Sequence, residues 1–140
     1  MNLLAVTTSF PATEDDFRGR FISEWAQTIQ SFGARIEVVG PARRSNSKDV
    51  SYTGYGHVGA LLKGGGAPEQ LQRSPLRNSL IGAAISVEMT RIIRRRQKKA
   101  DLVVAHWLLP SLSASVFAGI NANQAIHGYA HGGDIALLET

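Results

Sequence analysis

Apolar positions along the chain switch between short continuous runs and helical stripes. Leu3 to Thr8, LLAVTT, is a compact run rich in Val and Thr that predicts a buried strand. Phe21, Ile22, Trp25, Ala26, Ile29 and Phe32 recur three and four residues apart, which predicts one face of a helix, with Gly33 placed to end it. Upstream, Thr13 followed three residues later by Asp16 has the form of a capping box with Asp in place of Glu. Ala34 to Pro41, ARIEVVGP, predicts a second buried strand closed by Gly-Pro. Strand, helix and strand in close succession form a βαβ unit, and such a unit implies a parallel sheet.

The middle of the chain is less regular. ARRSNSKD is a polar loop, VSYTGYG predicts a short strand, and KGGGAPEQ is expected to be irregular because three glycines and a proline cannot sustain a helix. From Asn78 to Gln97 the helical pattern returns, with Ile81, Ala84, Ile85 and Ile92 facing inward. Ala100 to Trp107, ADLVVAHW, reads as a strand followed at once by His106 and Trp107. Pro110 and Ser111 then open a further helix, SLSASVFAGI. NQAIHGYAHGGD supplies a last strand that gives way to a Gly-Gly turn. There is no internal repeat and no linker, so residues 1–140 read as one Rossmann-like, three-layer α/β domain with a mostly parallel sheet.

Ligands of such folds bind outside the carboxyl ends of the strands, where strand order reverses. His106 closes one predicted strand, and His127 and His131 lie in or after the next, so three of the four histidines fall toward the same edge of the sheet. That clustering makes the edge the candidate site.

Composition narrows the chemistry. A content of 44% hydrophobic and 19% charged residues is globular, and the absence of cysteine removes disulfides, thiolate metal sites and cysteine nucleophiles together. No apolar run approaches the roughly 20 residues that span a bilayer. MNLLAVTTSF has no basic leader or small-residue cleavage site, which points to the cytoplasm. The net charge of +4 is unevenly spread, with Arg91, Arg94, Arg95, Arg96, Lys98 and Lys99 crowded into RIIRRRQKK. One reading is a solvated helix end whose positive charge complements the macrodipole; the other is a patch for weak contact with an anionic membrane surface. No nucleic-acid-binding motif accompanies the charge, so nucleic acid is not expected as a partner.

Four chemistries can be weighed at the histidine edge. A metal site from His127, His131 and Asp134 needs the two histidines on one helical face, but Gly128, Gly132 and Gly133 oppose a helix. In a strand, residues four apart are separated by roughly 13 Å, at ~3.3 Å per residue. A serine hydrolase lacks its G-x-S-x-G elbow, and neither KGGGAP nor the first strand's sequel has phosphate-loop spacing. HGGD, in contrast, suits a tight backbone turn that holds a histidine close to a substrate hydroxyl, with glycines that let the chain approach a ligand.

VTTSFP, DDFRGRFISEWAQ, GGGAPEQLQRSP, DLVVAHWLLPS and HGGD, taken in that order, resemble the successive signatures of the acceptor-side, N-terminal domain of family 4 glycosyltransferases. The likeness runs from Leu3 to Asp134. It implies a GT-B architecture of two Rossmann domains and transfer of a sugar from a nucleotide-activated donor to an acceptor hydroxyl, with no required metal or other cofactor. By this resemblance His131 faces the transferred sugar at the interdomain cleft, and Gly132, Gly133 and Asp134 shape its turn. Asp16, Phe17, Arg18 and Gly19 lie beside the acceptor at the start of the first helix, and His106 and Trp107 line the cleft floor. The donor nucleotide belongs mainly to a second Rossmann domain, of which these 140 residues carry nothing, so a truncated domain inactive by itself is expected. The rival expectations are a stand-alone module that binds carbohydrate or docks a partner without catalysis, and a fragment with no retained activity.

Overall fold

The computed structural model describes residues 1–11, 16–40, 51–54, 75–119, 124–132 and 134. Five strands form one all-parallel sheet: β1 (Asn2–Val6), β2 (Arg35–Gly40), β3 (Ser51–Gly54), β4 (Leu102–His106) and β5 (Ala125–Tyr129), in the order β3-β2-β1-β4-β5. Among the described residues they are accompanied by the helices α1 (Arg20–Ser31), α2 (Pro75–Arg96) and the short α3 (Ser113–Phe117). The Rossmann-like α/β reading holds, and the direction of strand order reverses between β1 and β4.

Strand alternation sends each sheet face into its own core. Leu4, Val6, Val39 and Val103 pack with Ile85, Met89 and Ile93 of α2 and with Ala114 and Ala118. Leu3, Ala5, Ile36, Val38 and Val104 pack with Ile22 and Ala26 of α1 and with Phe10. Two cores on two faces make the three layers.

The first helix differs from its sequence reading at both ends. It begins at Arg20, so Asp16 to Gly19 precede it instead of forming its first turn, and Thr13 lies outside the described residues. Gly19 takes the left-handed conformation at the N-cap, with φ +67°, and a Cβ there would also overlap the Ser9 carbonyl and come within 2.8 Å of the Phe10 nitrogen, so the position requires glycine on both counts. Gly33 ends the helix with φ +86°, its N–H donating to the Gln30 carbonyl at 2.8 Å. Phe32, expected inside, is 82% exposed, since the chain leaves the helix before its side chain can reach the sheet. Phe21 is only half buried, and in α2 the inward stripe runs through Ile85, Met89 and Ile93, leaving Ala84 on the exposed flank.

An irregular turn, Leu108–Leu112, separates β4 from α3 where the sequence suggested one continuous helix from Ser111 onward. The KGGGAPEQ and ARRSNSKD segments and Gly133 lie outside the described residues. Among the described residues no helix is long and apolar enough to cross a membrane.

The basic end of α2 is partly consumed by the fold. Arg94 donates to the carbonyls of Phe117 at 2.9 Å and Ala118 at 3.2 Å, and so caps the carboxyl end of α3. Gln97 adds bonds to Ala118 and Gly119. Arg96 pairs with Glu37 at 3.3 Å and Arg91 with Glu88 at 3.5 Å. Arg95, Lys98 and Lys99 are exposed cations with no ion pair among the described residues.

Candidate functional site

The site is assembled where β1, β4 and β5 end. After β1, the Thr7 hydroxyl donates to the Ser9 carbonyl at 2.9 Å and accepts the Ser9 N–H at 3.1 Å, which bends the chain into a turn. Gly19 packs onto that turn, and its carbonyl accepts the N–H groups of Ile22 and Ser23 at the start of α1. The helix thereby starts at the carboxyl edge of the sheet and brings Phe21 and Trp25, one turn apart, over the ends of β4 and β5.

Both aromatic rings meet a histidine. Trp25 contacts His106 edge-to-face with centroids 4.8 Å apart, and Phe21 contacts His131 likewise at 4.9 Å. His106 closes β4 in register with Tyr129 of β5, and their rings lie nearly parallel at 5.3 Å. Trp107 holds a positive φ of 81°, strained for a residue with a side chain, while its N–H donates to the Tyr129 carbonyl at 2.9 Å. Its ring lies 4.6 Å from that of His131. His106 Nδ1 and His131 Nε2 are 3.4 Å apart.

Gly132 and Asp134 are helical, and His131 is held just ahead of them by Asp134. The Asp134 Oδ2 accepts the His131 N–H at 3.0 Å and its backbone N–H donates to the His131 carbonyl at 2.9 Å, so this buried residue holds the histidine backbone with one side-chain and one main-chain bond. Gly132 is exposed with open space where a Cβ would stand.

His106 is 3% exposed, and burial pushes its imidazole down to about 4, with the neighbouring His131 adding to the effect. A ring this hard to protonate acts as a neutral hydrogen-bonding group at physiological pH. Its Nε2 and the indole Nε1 of Trp107 are enclosed without a hydrogen-bond partner among the described residues. Asp16 and Arg18 answer one another in a two-point pair, Nε to Oδ1 at 3.0 Å and Nη2 to Oδ2 at 3.3 Å, and Phe17 between them is 80% exposed.

His106, Trp107, His131 and Asp134 are therefore brought together, with the Asp16–Gly19 segment leading into the helix that covers them. His127 shares their sheet face but lies exposed in β5, opposite Val104 rather than at the strand end. It has no ring contact among the described residues. Among the described residues no group of three His, Asp or Glu side chains is arranged to hold a metal ion.

Sequence reasoning missed three site residues. The helical stripe accounts for Phe21 and Trp25, and the strand pattern for Tyr129, without marking any of them for the cleft. The available signal was the pair of aromatic residues four apart on the first helix after β1. No protein-family model matches the chain, and no curated protein matches it.

Proposed function

We propose that the chain is the acceptor-side domain of a GT-B glycosyltransferase resembling family 4, and that the aromatic–histidine cleft at the carboxyl edge of β1, β4 and β5 receives the sugar. The observation that carries this reading is the convergence of His106, Trp107 and His131 with Phe21, Trp25 and Tyr129 beside the reversal point of a parallel sheet. Half-exposed Phe21 and Tyr129 offer apolar ring surface for the C–H face of a pyranose, and a histidine beside them offers a hydrogen bond to a hydroxyl.

In retaining transfer the sugar develops positive charge while the departing diphosphate gains negative charge. His131, by ring or backbone, orients the sugar without shuttling a proton. Neutralising the diphosphate falls to a donor-binding Rossmann domain, because that electrostatic contribution is large and the described cleft holds no cluster of unpaired cations. The reading is of a cytoplasmic protein whose Arg95, Lys98 and Lys99 touch anionic membrane surface weakly.

Chemistry and binding separate cleanly in a titration. The chain has two tryptophans and both flank the histidine pair, so their fluorescence reports the cleft. Methyl hexosides and inositol should change that emission saturably, and UDP- and GDP-hexoses should undergo no turnover with the 140 residues alone. Emission that no sugar alters would remove the acceptor reading. Multiple-turnover transfer by the monomeric 140-residue chain would remove the division of labour.

A further inference from the structure

The contact between His106 and His131 has a defined direction. The two nearest nitrogens are 3.4 Å apart, while the ring centroids are 5.6 Å apart with planes within 8°. The centroid separation exceeds the nitrogen–nitrogen distance by about two imidazole radii, so both nitrogens lie close to the line joining the rings. The rings thus meet edge to edge, in near-parallel planes, rather than face to face. One proton must sit on that line, since two bare lone pairs repel and two N–H groups collide. The same alignment points both lone pairs at each other and leaves neither for a shared metal ion.

The two possible owners of the proton are not equivalent. If His131 donated from Nε2, neutral His106 would carry its own proton on Nε2, an enclosed atom with no acceptor among the described residues. If His106 donates from Nδ1, that enclosed atom is a bare acceptor. A buried N–H without an acceptor is the rarer and costlier arrangement. Burial also keeps His106 from taking a second proton until the pH falls to about 4.

We infer that His106 is a positioning residue whose Nδ1–H, donated to His131 Nε2, holds His131 in the Nδ1–H tautomer and presents that N–H to the cleft. His131 Nδ1 is neither enclosed nor engaged among the described residues. The surroundings keep the ring in this pose: Phe21 from α1, Trp107 after β4, and Asp134, whose carboxylate is directed to the His131 backbone N–H. Trp25 and Tyr129 hold the His106 ring from two sides. The functional meaning rests on the transferase reading: the group offered to the sugar is then a donor, suited to a hydroxyl or diphosphate oxygen, and not a base.

Long-range proton–nitrogen correlation spectra of the labelled 140-residue chain at pH 8 read each imidazole tautomer. The expected result is a protonated Nδ1 and a bare Nε2 on His131, the reverse of the preference of free histidine. His106→Asn sets an amide N–H near the position of Nδ1 and should retain that pattern. His106→Leu keeps apolar bulk and should return His131 to a population dominated by Nε2–H, with amide spectra verifying the fold. An Nε2-protonated His131 in the unsubstituted chain overturns the inference, and so does an unchanged tautomer in a folded His106→Leu chain. If the leucine variant does not fold, the unsubstituted and asparagine spectra still decide. The readout involves no sugar, so its failure is distinct from failure of the sugar titration.

Discussion

Gly19 shows how one residue holds the site in place. Its left-handed backbone and its contact with the Ser9–Phe10 turn leave no room for a side chain, because the obstacle is the Ser9–Phe10 peptide itself. Gly19→Ala should lower stability by about 2–4 kcal/mol, measured by denaturant unfolding, and should displace the start of α1. An alanine variant as stable as the parent would mean the turn yields easily. His106 makes a second residue-scale expectation. An unfolded histidine titrates near 6.5, and the folded one near 4, so between these values the unfolded chain binds the extra proton. The buried neutral ring therefore contributes stability that is present above pH 6.5 and is lost as the pH falls toward 4. The loss should be about 2–3 kcal/mol at most, and should vanish in a folded His106→Asn chain. Equal pH dependence in the two chains between pH 7 and 4.5 would assign the loss to other groups.

Among the elements, legibility followed burial. Strands β1, β2 and β4 stood out because parallel strands covered on both faces read as continuous apolar runs, and Leu3–Val6 and Val103–Ala105 are such runs. The start of α1 was misread because Thr13 and Asp16 imitate a cap, whereas the tertiary packing of Gly19 on Ser9 selects the true start. No local pattern records that contact. The histidine edge was legible from strand endings, yet the pairing of His106 with His131 was not, because it depends on register between β4 and β5 and on the backbone path beyond each strand end. The basic run was visible as charge but not as structure. Arg94 is a cap for α3 and Arg96 a partner of Glu37, which leaves Arg95, Lys98 and Lys99 as the cations able to meet a surface. Replacing those three with Glu should abolish low-salt co-sedimentation with anionic vesicles, since each basic residue near such a surface contributes up to about 1 kcal/mol, screened beyond roughly 8 Å at physiological salt. Arg94→Ala should instead cost stability, about 1 kcal/mol, through the lost carbonyl bonds. Sedimentation of the triple variant equal to that of the parent would remove the membrane contact.

For the whole molecule, the sheet order separates two edges. Its reversal between β1 and β4 opens the crevice in which α1 and the ends of β4 and β5 place six aromatic rings, while the basic end of α2 precedes β4 and so lies toward the amino ends of the strands. The proposed sugar cleft and the proposed surface contact thus lie at opposite edges and should vary independently. The central claim is that His131, and not His127, orients the transferred sugar. The direct measurement is the turnover of the 140 residues joined to a nucleotide-sugar-binding Rossmann domain, with each histidine replaced and the fold checked. His131→Ala should lower turnover by roughly 10- to 1000-fold, a positioning loss of about 1.4–4 kcal/mol, while His127→Ala stays within about threefold of the parent. Parental turnover in His131→Ala with a dead His127→Ala would contradict it.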